Sequence, residues 1–307
     1  MPPEIKVDRE RVNAVFDELG PTPRLCIDYL RSAQIEQYER DIKTAISALT
    51  TSELEQLFID TNSLTMNNTS HKIYLISRRD RKNVSSLAIV FPITSSIKFR
   101  LASHFQTLKL REQIRLYKSF SEVPESRVMA GIFFEAAGQQ CLQGGMDLKL
   151  VRMVQLASSK PQWHSSHVPF PNNAELERLR QDALQQQQPL IIPKDLEIRE
   201  YTKHGLTSPI ESNVIYVPGS INQEAIDSFV VMNGLLYIFQ FTIGEEHDVK
   251  PGLMDLVRGY PELPSMANWR FIFIIPPNHI LKCPQPWSLE LRKLHPYSAV
   301  LNLGKWR

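Results

Sequence analysis

Apolar and polar positions follow two different periods along this 307-residue chain, and the change between them divides it. In the first 120 residues apolar side chains recur at intervals of three and four: Val12, Val15, Phe16 and Leu19, then Leu25, Leu30 and Ile35. That spacing places them on one face of a helix. It predicts helices over residues 8–20 and 24–49, separated by the chain break Gly20-Pro21-Thr22-Pro23. A short helix is predicted over 52–59 and a polar loop over 61–70. Two short strands follow, 72–77 and 86–91, joined by a charged connection over 78–84, and then helices over about 96–105 and 107–120. Pro124-Glu125-Ser126 introduces a further helix, 127–143, stopped by Gly144-Gly145. Its apolar stripe is Met129, Ile132, Phe133, Ala136 and Ala137, with Glu135 at the margin.

A passage of mixed character comes next, then a proline-rich loop over 158–173 and a polar helix over 174–188 that fades into glutamines. Thereafter the period becomes that of strands: 214–217, a pair within 226–243, 270–275 before Pro276-Pro277, and 298–302, with a helix over 253–260. Asn233-Gly234 is the dipeptide that best fits a two-residue type I′ turn, so 226–243 reads as a hairpin. The turn sets Met232 opposite Leu235 and, by continuation, Asp227 opposite Gln240. Directly opposed residues share a face, and Thr242 joins them because strand side chains alternate. One acidic and two polar groups therefore converge on a ribbon otherwise so apolar that it belongs in the centre of a covered sheet. Burying such a group is costly without hydrogen bonds or a cation, so the place is either a functional site or a structural polar patch.

The composition is that of an ordinary globular protein, and no apolar run approaches the roughly 18 residues of a membrane-spanning helix. Three scattered cysteines, Cys26, Cys141 and Cys283, form neither a disulfide framework nor a zinc pattern. With no apolar leader at the N-terminus, these features predict an intracellular protein, in nucleus or cytoplasm. The formal charge of +2 hides an asymmetry: between His71 and Lys118 eleven Lys or Arg stand against Asp80 and Glu112, so that stretch carries +9 and the remainder −7. Such an excess can attract a nucleic acid, and it reads equally as a solvated helix face with a basic loop.

The helix segment Gly131-Ile132-Phe133-Phe134-Glu135, a strand opening with Asp227, and a following strand with Gln240-Phe241-Thr242 together resemble the PD-(D/E)XK restriction-endonuclease-like fold, in particular its Mrr-type variant. Wider wording, including Gly20-Pro21-Thr22-Pro23-Arg24 and Leu236-Tyr237-Ile238-Phe239-Gln240-Phe241-Thr242, is similar to fungal proteins of the Crinkler and retrotransposon-hot-spot type, which pair an ATPase module with a C-terminal nuclease-like domain. The resemblance implies an α/β (α+β) chain. A mostly helical accessory region (1–120), ATPase-associated or winged-helix-like and carrying a small β-ribbon, precedes a nuclease-like domain (125–307) with a central mixed sheet flanked by helices. It implies Asp227 as the main ligand of Mg²⁺ or Mn²⁺, Glu135 as a second group on the metal or its water, and Gln240 in place of the second strand carboxylate. Mg²⁺ takes oxygen ligands and is commonly held by one or two carboxylates. An ATPase partner supplied in trans, or a homodimer, also follows, since no phosphate-binding Gly-x-x-x-x-Gly-Lys-Ser/Thr loop occurs here.

The chain departs from the family at Thr242, where a lysine is expected. A hydroxyl can orient water but carries no charge to place against a phosphate. Lys250 and His247, just beyond the strand, are the nearest candidates for the missing cation and for a proton carrier at neutral pH. The resemblance therefore supports two functions: metal-dependent cleavage of phosphodiester bonds, or a catalytically degenerate module that binds nucleic acid or a protein partner as an effector.

Overall fold

The computed structural model describes residues 9–20, 34–59, 72–78, 82, 85, 88–156, 161–201, 209–218, 226–254, 260, 262–286 and 288–305. The chain divides into two compact units, Met1–Phe133 and Phe134–Arg307.

The first unit is helical with a β-ribbon. Helices α1 (Arg9–Leu19), α2 (Gln34–Ser47) and α3 (Thr51–Ile59) precede strands β1 (Tyr74–Arg78) and β2 (Ala88–Pro92), which pair antiparallel; α4 (Ser95–Gln106) and α5 (Leu110–Ser121) follow. Gly20, at φ +112°, ends α1 by donating its N–H to the Phe16 carbonyl, and a side chain there would strike Ile93. Thr94 caps α4 through its hydroxyl. Phe105, Phe120 and Phe133 stack together in the core. Of the helix expected over 24–49, residues 34–47 are helical and the part before 34 lies outside the described residues, as do the loop at 61–70 and most of the connection at 78–84.

The second unit is built on an eight-stranded mixed sheet. Its strands are β3 (Met146–Arg152), β6 (Gln188–Ile192), β7 (Glu197–Tyr201), β8 (Val214–Pro218), β9 (Ser228–Met232), β10 (Leu235–Phe241), β11 (Trp269–Ile275) and β13 (Tyr297–Val300), in the order β6-β3-β13-β11-β10-β9-β8-β7. Strands β8, β9 and β10 are antiparallel neighbours; β11 lies parallel to β10, and β13 parallel to β11. A smaller sheet joins β4 (Val154–Gln155), β5 (Gln162–His164) and β12 (Lys282–Pro284). The protein is thus a mixed α/β chain, helical with a ribbon first and sheet-centred afterwards, as the sequence predicts.

Cross-strand partners share a face, so the register sorts the sheet into two layers. One face carries Leu236, Ile238, Phe229, Phe271, Phe273 and Tyr216 and forms the main core, with Tyr216 stacked on Phe229 at 4.8 Å. On the same side α7 (Ala174–Gln185) packs Leu176 and Ala183 against Val151 and Val154. The other face carries Phe239, Phe241, Ile272 and Ile274 and receives the later turns of α6 (Arg127–Gln143). There the Phe134 ring meets the edge of Phe241 at 6.3 Å, and Gly138 lies so close that an added Cβ would sit 2.2 Å from that ring.

Several expectations need correction. The narrow stripe predicted for α6 is too narrow, because Ala130, Phe134, Cys141 and Leu142 are buried as well and the helix is apolar nearly all round. The passage read as mixed contains β3, the loop over 158–173 contains β5, and the helix begun at 174 ends at Gln185, where the glutamine tract turns into β6. Strand β7 goes unforeseen too. β6 and β7 are the two edges of the sheet, with few buried positions each, so they carry little periodic signal. The helix predicted over 253–260 begins as expected; residues 255–259 lie outside the described residues.

Two predictions follow from this packing. Gly138→Ala, although favourable for an isolated helix, will destabilise the protein by about 1–3 kcal/mol through overpacking, and adding Phe241→Leu will recover part of the loss in chemical denaturation. Separately, the Arg180 guanidinium, the Phe170 N–H and the Gln181 amide all bind the Glu177 carboxylate and hold its pKa down to about 2. A carboxyl depressed from 4.5 contributes stability that is complete above the unfolded value and is lost as pH falls toward 2. Between pH 5 and 2 the wild type will therefore lose stability relative to Glu177→Gln, as acid titration of thermal unfolding will show.

Candidate functional site

The site grows from the turn. Asn233 and Gly234 sit at φ +51° and +73°, the left-handed pair that a type I′ turn requires. The pairs Leu235↔Met232 through Phe239↔Ser228 follow in register. Continuing that count by one step brings Asp227 opposite Gln240, and the side chains meet: Gln240 Nε2 donates to both carboxylate oxygens of Asp227 at 2.8 Å. The Phe241 N–H donates to Oδ2 at 2.5 Å. Asp227 is half-buried, whereas Gln240 and Thr242 are 6% and 7% exposed.

Two residues not singled out from the sequence complete the surroundings. Gln139 of α6 donates from Nε2 to the Asp227 carbonyl at 3.3 Å. It lies four residues after Glu135, so both project from one side of the helix, and that spacing is the signal that could have found it. Glu135 is itself half-buried. Tyr201 of β7 donates its hydroxyl to the Ile226 carbonyl at 3.2 Å; burial, reinforced by the Asp227 charge, pushes the phenol well above its ordinary pKa and keeps it protonated.

The remaining candidates have their own engagements. The Thr242 hydroxyl accepts the Gly244 N–H at 3.0 Å, closing a local turn, while the Thr242 N–H extends the ladder to Ile274. Lys250 Nζ lies 3.1 Å from Asp248. Burial pushes the Asp248 carboxyl up, but the hydrogen bond and charge of Lys250 outweigh it and leave the pKa lowered. His247 places Nδ1 3.0 Å from the Asp248 carbonyl oxygen and its ring 5.6 Å from Phe273, the strand neighbour of Gln240. His247 also lines a cleft of about 400 Å³ together with Glu246, Asp248, Pro284, Pro286 and Leu291.

No family model, no curated protein and no solved structure matches this chain.

Whether the site suits a divalent cation turns on one atom. Gln240 Oε1 is buried and has no hydrogen-bond partner, while its Nε2 is shared between two carboxylate oxygens. A buried acceptor left unpaired costs about 1–3 kcal/mol. A half-turn of the amide would bring that carbonyl oxygen against the carboxylate, an opposition of negative groups that a proton or a cation relieves. Among the described residues no three His, Cys, Asp or Glu side chains gather to hold a metal. The oxygens brought together are the Asp227 carboxylate and Gln240 Oε1; Glu135 stands one turn before Gln139 on α6, whose later turns pack on the opposite face of the sheet. The carboxylate and the amide oxygen are both hard oxygen donors, the kind that Mg²⁺ takes, and neither is a nitrogen or sulfur ligand.

The basic segment lies in the first unit. Lys72 pairs with Asp41 at 2.6 Å, Arg100 with Glu18 and Glu39 at 3.0 and 3.2 Å, and Arg115 with Glu55 at 2.8 Å. Arg111, Arg115 and Lys118 share one exposed face of α5.

Gln240→Glu will set two carboxylates within hydrogen-bonding distance. It will lower the melting temperature at neutral pH, and acidification to about pH 4.5 or millimolar Mg²⁺ will restore it, because a proton or a cation removes the repulsion. An equal melting temperature with and without the substitution at every pH would show that the carboxylate and the amide do not meet in solution.

Proposed function

We propose that this chain is a nuclease-like protein that acts on the phosphodiester bonds of nucleic acid with Mg²⁺ or Mn²⁺. The observation that carries the reading is the Asp227–Gln240 pair, a carboxylate beside a buried amide whose oxygen has no partner. The order of elements supports it: α6 with Glu135, then antiparallel β8, β9 and β10 with Asp227 and Gln240 at the hairpin's open end, then β11 parallel to β10. Asp227 would supply the charged ligand, Gln240 a neutral one, and Glu135 would hold the metal's water. A bound divalent cation stabilises charge on a phosphate. The exposed face of α5 offers the backbone of the nucleic acid a cationic approach. Such a protein would work inside the cell, in nucleus or cytoplasm, as a homodimer or with an ATPase partner.

A second reading, a degenerate module that binds nucleic acid or a protein partner without cutting, draws support from two engagements. Thr242, at the position of the family's lysine, spends its hydroxyl on Gly244, and Lys250 is paired with Asp248. Neither therefore supplies the positive charge that the lysine would bring.

Titration of Mg²⁺ and Mn²⁺ into wild type and Asp227→Ala, read by calorimetry and by cleavage of labelled single- and double-stranded DNA and RNA, separates the readings. Metal-dependent cutting that Asp227→Ala abolishes is the expected result for a nuclease. Metal binding or salt-sensitive nucleic acid binding without cutting selects the degenerate module. Absence of metal binding and of nucleic acid binding leaves Asp227 and Gln240 as a structural patch.

A further inference from the structure

On the face of the large sheet opposite Gln240, three residues back along β10, tyrosines and arginines alternate across four adjacent strands. Tyr237 of β10 pairs with Arg270 of β11, Arg270 stands 5.7 Å over the ring of Tyr297 on β13, and Arg152 of β3, the direct partner of Tyr297, stands 5.9 Å over the same ring. Tyr297 is 4% exposed, Tyr237 and Arg270 are half-buried, and Arg152 is exposed. Two guanidiniums thus share one aromatic ring.

Neither arginine forms an ion pair with any described residue. Arg270 spends one terminal nitrogen on the Trp269 carbonyl at 2.9 Å and the Ala267 carbonyl at 3.4 Å, and its Nε is buried without a partner. A cation–π contact steadies each guanidinium but leaves its charge uncompensated. Beside them, partial burial and the Arg152 charge hold the His295 imidazole below its ordinary pKa. Positive charge concentrated in this way, with the exposed Arg152 guanidinium not ion-paired to any described residue, is complementary to an anion.

We propose that the Tyr237–Arg270–Tyr297–Arg152 ladder is a docking surface for single-stranded nucleic acid, with the arginines on phosphates and the accessible Tyr237 ring under a base. An acidic peptide would satisfy the arginines alone; the aromatic side chain set between and beside the cations is what a stacked base uses. The choice of nucleic acid among anions rests on the function proposed above, but the surface is separate from Asp227. Its contacts require no metal, and it lies on the other side of the sheet.

The test is binding of a labelled oligothymidylate to the full chain in EDTA over a range of salt. Replacing both cations, Arg152→Gln/Arg270→Gln, should weaken binding at least tenfold and reduce the slope of log affinity against log salt by about 1.4, at roughly 0.7 for each single-strand phosphate lost. Because Arg270 also anchors two carbonyls, Arg152→Gln alone supplies a variant at an exposed position, with an expected reduction of about 0.7. Tyr237→Leu should weaken binding roughly five- to a hundredfold with the slope unchanged. Because binding is read in EDTA, with no metal at Asp227, failure of the metal site stays distinct from failure of the ladder. Unchanged affinity in the ladder variants overturns the proposal, as does loss confined to Arg111→Gln/Lys118→Gln on α5. Displacement of the oligonucleotide by polyglutamate of equal charge as readily as by unlabelled oligonucleotide also overturns it, in favour of an acidic peptide.

Discussion

Two consecutive residues with positive φ, Asn233 and Gly234, hold the register on which the second unit depends. A slip of one residue would carry every side chain of β10 to the opposite face. Gln240 would then point toward α6 and Phe241 into the main core, and Gly138 would have no ring to accommodate. The hairpin is closed at both ends. At one end the backbone geometry of the turn does it; at the other, the Asp227 carboxylate accepts from the Gln240 amide and the Phe241 N–H. The second closure is chemically unusual, because it brings a carboxylate to the end of strands whose neighbouring positions are almost wholly apolar and buried.

That carboxylate marks the difference between satisfied and unsatisfied polarity. Thr242 and Gly244, Tyr201 and Ile226, and Gln139 and the Asp227 carbonyl are each paired, so their burial is compensated. The Gln240 carbonyl oxygen is not. Replacing Asp227 and Gln240 together by apolar side chains would remove the cost of that unpaired oxygen, whereas replacing Gln240 alone would take two hydrogen bonds from the carboxylate. Other buried atoms also lack a partner, Gln113 Oε1 and Ser228 Oγ among them, but the Gln240 oxygen belongs to an amide that is bonded to a carboxylate.

The hairpin, its register and the convergence of Asp227 with Gln240 were legible in the sequence because a two-residue turn leaves no freedom in the pairing. Helix α6 was legible from its proline start and glycine stop, with Gly145 at φ +77°. Other features were hidden for particular reasons. The edge strands β6 and β7 bury few residues, and the glutamines before β6 carry no period. Met146, Leu148 and Leu150 do alternate in β3, but the strand is joined to the sheet through β13, nearly 150 residues later, a pairing no local pattern announces. Gln139 reaches the Asp227 carbonyl, and Tyr201 the Ile226 carbonyl beside it, only through tertiary contact. The engagements of Thr242 with Gly244 and Lys250 with Asp248 are short-range, yet they depend on where the chain turns after β10, which composition leaves open.

Charge shows most clearly how counting along a chain differs from charge in space. The +9 of residues 71–118 is answered in part by Asp41, Glu18, Glu39 and Glu55 from earlier helices, so Lys72, Arg100 and Arg115 contribute less to a distant polyanion than their number suggests. Conversely Arg152 and Arg270 lie more than a hundred residues apart in a region of net negative charge, and no window over the sequence joins them. The sheet does, by setting β3, β13 and β11 side by side, so that both guanidiniums approach one tyrosine ring and neither is ion-paired among the described residues. Attraction for a polyanion depends on charge that remains uncompensated after folding, and by that measure Arg152 and Arg270 count in full although they lie outside the segment with the greatest formal excess.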